Sequence, residues 1–262
     1  MSFLYEPHLH TRPASRCARH SVETALHFYK EHGFDGVFIT NHFLNGNTGA
    51  DSALSRAEQL DFFCRDYFEA LALARKIGIQ VFFGAEITDL HAGSMTDFLI
   101  YGPSPEWYCE HPELLDLPVE HALDLLHLNG ALIVHAHPFR EGYGQEIRLL
   151  PRKVDAVETV NAHNHRSENK MALKYARHYR LRCFAGSDNH NVATQSRLCG
   201  IATRTRICSA EDLITLVRKG QYRLFQKRLP KESPNPKMPP EKTTSAEKSG
   251  GQKAEKAETE LQ

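Results

Sequence analysis

Pro7-His8-Leu9-His10-Thr11 is the stretch whose reading decides the fold. In extended backbone, residues i and i+2 project to the same face, so the imidazoles of His8 and His10 can reach one metal ion. The pair is weak evidence alone in a chain of 262 residues with 16 histidines. It gains weight from four later stretches with suitable donors, each at the end of an apolar run: Asn41-His42, Glu86, His137-Pro138 and Asp188-Asn189-His190.

Outward from that stretch, short apolar runs alternate with helical patterns. Phe3 to Thr11 reads as a first strand, although Pro7 can donate no ladder hydrogen bond. Ser21 caps a helix to Glu31, stopped by Gly33, with Val22, Ala25, Leu26 and Tyr29 as its apolar stripe. Gly36 to Thr40 is wholly apolar until its last residue, as in a strand buried on both faces. Ala53 to Ile77 reads as a long helix, with Phe62, Phe63, Tyr67, Phe68 and Leu71 on its core stripe. Ile79 to Ile87 and Asp97 to Tyr101 read as strands. Pro105 to Pro118 is irregular or weakly helical. A helix over Val119 to Leu128 leads to strands over Ala131 to His135 and Asp155 to Val160. A helix over Arg166 to Tyr179, a strand over Arg182 to Ala185 and a strand over Ile201 to Ile207 follow. Ser209 caps a helix to Lys219, and Tyr222 to Phe225 forms a last strand. The alternation predicts parallel βα units in an α/β fold, in about the number a barrel needs.

Composition limits the function classes. Lysine plus arginine equals aspartate plus glutamate at 32 each, so no global basic field exists to hold nucleic acid or an anionic membrane. Six scattered cysteines form no C-x-x-C pair, which points to reduced thiols in a cytoplasmic protein. The first residues show no signal-peptide pattern, and no apolar run is long enough to span a bilayer. From Leu229 the composition changes. Five prolines fall between 230 and 240, and six lysines offset six glutamates across 229–262. The organisation expected is one hydrolase domain over 1–228 and a disordered Pro/Lys/Glu-rich tail over 229–262.

Parallel βα folds place function at the C-terminal ends of their strands. His42, Glu86, His137, Asp188 and His190 all end or follow apolar runs, so they converge on one rim. Imidazole with carboxylate suits Zn2+, Mn2+ or Fe2+ better than calcium. Glu86 has two oxygens and can bridge two ions. Such a cluster suits phosphate-ester hydrolysis, in which a metal-bound hydroxide attacks phosphorus while the ions absorb charge on the leaving oxygen. Arg140 is placed to hold the phosphate, with Arg12, Arg16, Arg19 and Arg166 as further candidates. The expected partner is a small phosphorylated substrate, with no membrane and no nucleic acid beyond short nucleotides. No G-x-G-x-x-G, P-loop or G-x-S-x-G is present. His163 and His165 read as loop residues, His91 and His135 are ambiguous, and His20 reads as a surface residue.

The pieces His8-Leu-His10-Thr11, Ile39-Thr-Asn-His42, Gly84-Ala-Glu86, Ala136-His-Pro138 and Gly186-Ser-Asp-Asn-His190 resemble the PHP (polymerase and histidinol phosphatase) domain, in the family's order, over roughly residues 3 to 227. The resemblance implies a distorted, TIM-like (β/α)7 barrel with a trinuclear metal site, and the ligands present in this chain support two or three divalent ions. It implies that His8, His10, Glu86 and Asp188 hold one ion, that Glu86 and His137 help hold a second, and that His42 and His190 hold a third. Glu86 and Asp188 would be the catalytic carboxylates. The chain departs from the family at Glu6-Pro7, at Asn41 in place of aspartate, and at Leu99 in place of histidine. It also departs in the loop 12–20, where Cys17 or else His20 stands for a further ligand. Two other readings stay open. One is an amidohydrolase-type barrel cleaving a C–N or C–O bond, which would want a strand-end lysine. The other is a non-catalytic metal-binding domain.

Overall fold

The computed structural model describes residues 2–90, 95–141 and 146–230. Among them the strands are β1 (Phe3–Leu9), β2 (Gly36–Ile39), β3 (Gln80–Phe83), β4 (Ala85–Asp89), β5 (Thr96–Tyr101), β6 (Leu132–His135), β7 (Ala156–Asn161), β8 (Arg182–Gly186), β9 (Arg197–Thr203) and β10 (Tyr222–Arg228). The helices are α1 (Val22–Glu31), α2 (Arg56–Ile77), α3 (Pro105–Glu110), α4 (Val119–Leu128), α5 (Arg166–Tyr179) and α6 (Ala210–Lys219), with a 3-10 turn at Pro112–Leu115. His91 and the stretch from 231 onward lie outside the described residues. No helix among the described residues is long and apolar enough to cross a membrane.

Local chemistry sets the element ends. Ser21 accepts from the Thr24 amide at the start of α1, whose buried residues are Val22, Ala25, Leu26 and Tyr29. The long helix α2 begins at Arg56 rather than Ala53, because Ser55 and Glu58 form a reciprocal capping box there. Gly78 ends it in the left-handed conformation (φ 73°). Phe63 is buried on this helix, but Phe68 and Leu71 are 50% and 40% exposed and leave the expected core stripe.

The strands form two mixed sheets, ordered β10-β9-β1-β2-β3 and β4-β5-β6-β7-β8. Continuous pairing does not close them into a barrel among the described residues, and the strands are not all parallel. The runs β1-β2-β3 and β6-β7-β8 are parallel. β4-β5, β5-β6, β1-β9 and β9-β10 are antiparallel. Between β4 and β5 the connection is too short for the crossover that a parallel pair needs. The single strand read over Ile79 to Ile87 is two, and they belong to different sheets. The chain changes sheet at Gly84, where a Cβ would lie 2.8 Å from the Thr40 side chain and 3.2 Å from the Ile100 carbonyl oxygen. β9 sits four residues earlier than its pattern suggested. Gly200, inside it, passes so close to β1 that a Cβ would lie 2.3 Å from the Tyr5 carbonyl oxygen. Isolated parallel bridges, Leu9 to Asn189 and His42 to Glu86, link the two sheets at one rim.

Beneath that rim lies an aromatic core. Phe63 packs against Phe43, Phe83 and Tyr108 at ring separations of 5.2, 5.7 and 5.7 Å. Phe63→Ala should cost about 3–5 kcal/mol through lost burial and a cavity, read as a lower denaturation midpoint with unchanged slope.

Candidate metal centre

The rim marked by the two bridges collects the polar residues. His8 lies in β1 and His10 just beyond it, on one face of the extended chain. His42 follows β2, Glu86 opens β4 immediately after the Gly84 break, His137 follows β6, and Asp188 and His190 follow β8. His137 (φ 27°) and Asp188 (φ 53°) hold positive φ, a conformation uncommon outside glycine, although aspartate and histidine adopt it more often than most residues. Strain of this kind persists where surrounding structure enforces it, and it clusters at functional sites.

Glu86 sits at the middle. Its Oε1 lies 3.3 Å from both His8 Nε2 and His137 Nε2. Its Oε2 lies 3.1 Å from His10 Nε2 and 3.0 Å from His42 Nδ1. Asp188 Oδ1 lies 3.3 Å from His8 Nε2, 3.3 Å from His10 Nε2 and 3.5 Å from His190 Nδ1. The two Nε2 atoms of His8 and His10 are themselves 3.1 Å apart. All seven residues named from the sequence as metal ligands therefore come together, and five of them, His42, Glu86, His137, Asp188 and His190, line a cavity of about 270 Å³.

The hydrogen bonds of these residues leave several buried donor atoms without a partner. Glu86 Oε2, Asp188 Oδ1 and His42 Nδ1 are buried and make none of acceptable geometry, despite the short separations. Lone pairs from several nitrogens and oxygens thus point at one another, an arrangement that is costly unless something positive sits between them. Donor atoms of His8, Glu86 and His137 lie within 4.8 Å of one another, as do those of His8, His10 and Asp188, and those of His10, Cys17, His42 and His190. The residues fit divalent ions.

The electrostatics agree. Burial pushes the His42 and His190 imidazoles down to about 3, which keeps them neutral with lone pairs free. Burial alone would raise the Glu86 and Asp188 carboxyls, but the surrounding imidazoles, joined at Asp188 by the Arg140 guanidinium, outweigh it and hold both well below the usual carboxylate range. Burial opposes charge on His8 too, yet Asp188, Glu158 and Glu86 together hold it well above its ordinary value.

Several supporting residues were not singled out from the sequence. Glu158 of β7 is fully buried. Its Oε1 faces His8 Nδ1 at 3.0 Å, and its Oε2 accepts from the His137 amide (3.1 Å) and from Asn161 Nδ2 (2.8 Å). Carboxylates in this position fix the tautomer and orientation of a ligating histidine. Gly186 makes room for the pair, since a Cβ there would lie 2.5 Å from both Glu158 Oε1 and His8 Cβ. Asn41 does not touch His42's ring. Its Oδ1 accepts from the Thr11 amide (2.7 Å) and from Ser15 Oγ (2.8 Å), while Asp66 of α2 accepts from Thr11 Oγ1 (2.8 Å). Ser15 Oγ in turn faces His10 Nδ1 at 3.2 Å and accepts from the His42 amide at 3.0 Å. The asparagine thereby organises the loop after β1. The only sequence signal for Asp66 was a charge on the apolar side of α2.

Leu99 is buried core, whereas Asp97, two residues earlier on the same face of β5, lines the cavity with its Oδ2 3.8 Å from His137 Nε2. Cys17 also lines the cavity, and burial, with Glu86 and Asp188 adding to it, pushes its thiol up to about 12. His20 is buried rather than on the surface, and its Nδ1 accepts from the Val192 amide at 3.3 Å, outside the donor groups. His135 is a core residue stacked on Phe98. His163 and His165 lie in the connection between β7 and α5 and at its helix cap. Arg140 lines the cavity, but its Nη2 bonds Asp188 Oδ2 (2.5 Å) and Asn161 Oδ1 (3.0 Å), and its Nε bonds Asn164 Oδ1 (3.1 Å).

Fold and site together define an α/β domain with a histidine–carboxylate centre suited to divalent metal. Residues 166–222 match the PHP-associated family model. The fold is similar to that of a two-domain protein from Bacteroides vulgatus containing a predicted PHP-like metal-dependent phosphoesterase, with TM-score 0.63 and 14% identity over 86% of this chain. This chain spans 65% of that protein's length. It is also similar in fold to an amidohydrolase from Chromobacterium violaceum solved with sulfate and no metal, with TM-score 0.52 and 12% identity over 83% of this chain and 96% of that one. No curated protein matches the chain.

Proposed function

We propose that this protein is a cytoplasmic metal-dependent phosphoesterase acting on a small phosphomonoester or nucleotide, in a distorted TIM-like barrel. The observation that carries this reading is Glu86, whose two oxygens each face two imidazoles without hydrogen-bond geometry on Oε2. A bridging carboxylate among imidazoles is the donor set that suits a cluster of two or three Zn2+, Mn2+ or Fe2+ ions.

His8, His10, Glu86 and Asp188 would hold one ion, Glu86 and His137 with Asp97 beside them a second, and His42 and His190 a third. Bound divalent ions supply a nucleophile from water at neutral pH and positive charge for the leaving oxygen. The chain's own contribution is positioning. Glu86 and Asp188 stay ionised at working pH, so they hold charge rather than relay protons. Arg140 fixes Asp188 Oδ2, and its Nη1 is the guanidinium nitrogen not used in its bonds to Asn161, Asn164 and Asp188, so it can reach a substrate phosphate. The cavity of about 270 Å³ has room for a small molecule.

An amidohydrolase-type reaction would want a lysine at the centre, and none lines the cavity among the described residues. The deciding experiment strips the protein with chelator and assays a phosphomonoester, a phosphodiester and a lactone with and without added Mn2+. Phosphomonoester turnover is expected only with metal. Lactone turnover without phosphoesterase activity would replace this reading, and turnover that survives metal removal would remove its basis.

A further inference from the structure

Cys17 brings a sulfur atom to one side of an otherwise nitrogen and oxygen centre. One donor atom each from His10, Cys17, His42 and His190 lies within 4.8 Å of the others. His10 is committed elsewhere, with Nδ1 toward Ser15 at 3.2 Å and Nε2 toward Glu86 at 3.1 Å. Its ring is stacked between those of His42 and His190, with centroids 4.5 Å from each, and so spaces these two imidazoles on either side of it. His190 Nδ1 bonds the Asp188 carbonyl oxygen at 2.8 Å, which leaves its Nε2 as the free donor. His42 is buried and its Nδ1 makes no hydrogen bond, an independent sign of a missing partner at this place. The remaining donors are one thiol and two imidazoles, and they border the carboxylate side at Glu86 Oε2, 3.0 Å from His42 Nδ1.

We propose that Cys17, His42 and His190 form a thiolate–imidazole site that takes a thiophilic divalent ion of the zinc class in preference to Mn2+ or Mg2+, while the carboxylate-rich donors around Glu86, Asp97 and Asp188 accept harder ions. This rests on the metal-centre reading given under the proposed function. Soft thiolate ligands favour zinc-like ions, whereas carboxylates suit manganese and magnesium. Ligation is balanced by loss of the Cys17 thiol proton to solvent as the metal–sulfur bond forms, and both histidines bind as neutral rings. The centre is therefore chemically divided, with a soft side at the loop after β1 and a hard side at β4, β5 and β8.

Cobalt reports this directly, because a thiolate bound to Co2+ gives a charge-transfer absorption in the near ultraviolet that imidazole and carboxylate do not. Metal-free full-length protein is titrated with Co2+, and bound cobalt is counted in parallel. The wild type should show the sulfur band. Cys17→Ser should lose the band and one equivalent of cobalt while keeping its circular dichroism spectrum. In Cys17→Asp, which restores a hard donor, the preference of that equivalent for Zn2+ over Mn2+ should fall by about an order of magnitude or more. Cobalt bound without a sulfur band in the wild type overturns the thiolate site, as does a band that survives in Cys17→Ser. An unchanged Zn2+/Mn2+ ratio in Cys17→Asp overturns the selectivity. Failure to bind cobalt at all overturns the metal centre itself, and the thiolate site with it.

Discussion

Glu86→Ala should abolish phosphoesterase turnover and strip the protein of most of its bound metal. Both Glu86 oxygens are in use. Oε1 faces His8 and His137, and Oε2 faces His10 and His42. Asp188 also meets four imidazoles, but of the two carboxylates only Glu86 reaches His42, so its removal separates His42 from the donors around His8, His10 and His137. Losing a residue that merely orients a ligand lowers activity or affinity about 10–100-fold. Losing a bridging ligand should exceed the upper end of that range. The fold should survive, because the alanine removes a buried charge that itself lacks a hydrogen bond at Oε2. In the metal-free protein, Glu86→Ala should lower the melting temperature, since it removes the carboxylate whose charged form the surrounding imidazoles favour. Metal content by elemental analysis, turnover and melting of the metal-free form together test this. Wild-type activity in the variant would remove Glu86 from the chemistry.

The donors of this centre are legible because each follows a short apolar run, and a strand end in a βα fold is where function collects. His42 after Gly36–Ile39 and His137 after Leu132–His135 carry that signal plainly. The sheet arrangement does not. The run from Ile79 to Ile87 reads as one strand because hydrophobicity is continuous across Gly84, and only the close approach of Thr40 and Ile100 shows why a glycine must stand there and let the chain change sheets. Antiparallel β4 and β5 were hidden for the same reason, since a period of two carries no direction. The supporting carboxylates are harder still. Asp66 lies on a helix whose pattern reads as packing, and Glu158 lies inside a strand where alternation alone gives it no role. Asp97 carries no signal of its own, because the family's pattern places its histidine two residues on, at Leu99. Each of these acts through a contact distant in sequence, such as the Glu158 to His8 pair, which spans 150 residues.

Glu158→Gln tests that pair with almost no change in shape. In the native protein, Glu158 Oε2 accepts from two donors, the His137 amide and Asn161 Nδ2, while Oε1 faces His8 Nδ1. A glutamine has one oxygen to place. Put at the Oε2 position, it keeps two hydrogen bonds, and its amide nitrogen then faces His8. That nitrogen donates, so His8 Nδ1 must become the acceptor and the ring proton must move to Nε2. Nε2 is the atom that faces Glu86, Asp188 and His10. A protonated Nε2 cannot ligate, so the substitution turns the first imidazole of the centre into the wrong tautomer. Metal affinity measured by chelator competition should drop about 10–100-fold. The variant should keep its fold, because the packing around β7 is unaltered. Glu158→Asp separates charge from reach, since it keeps an acceptor-only carboxylate but withdraws it from His8, and it should fall between wild type and glutamine in affinity. Equal affinity in Glu158→Gln and wild type would mean that His8 is oriented by something other than this carboxylate.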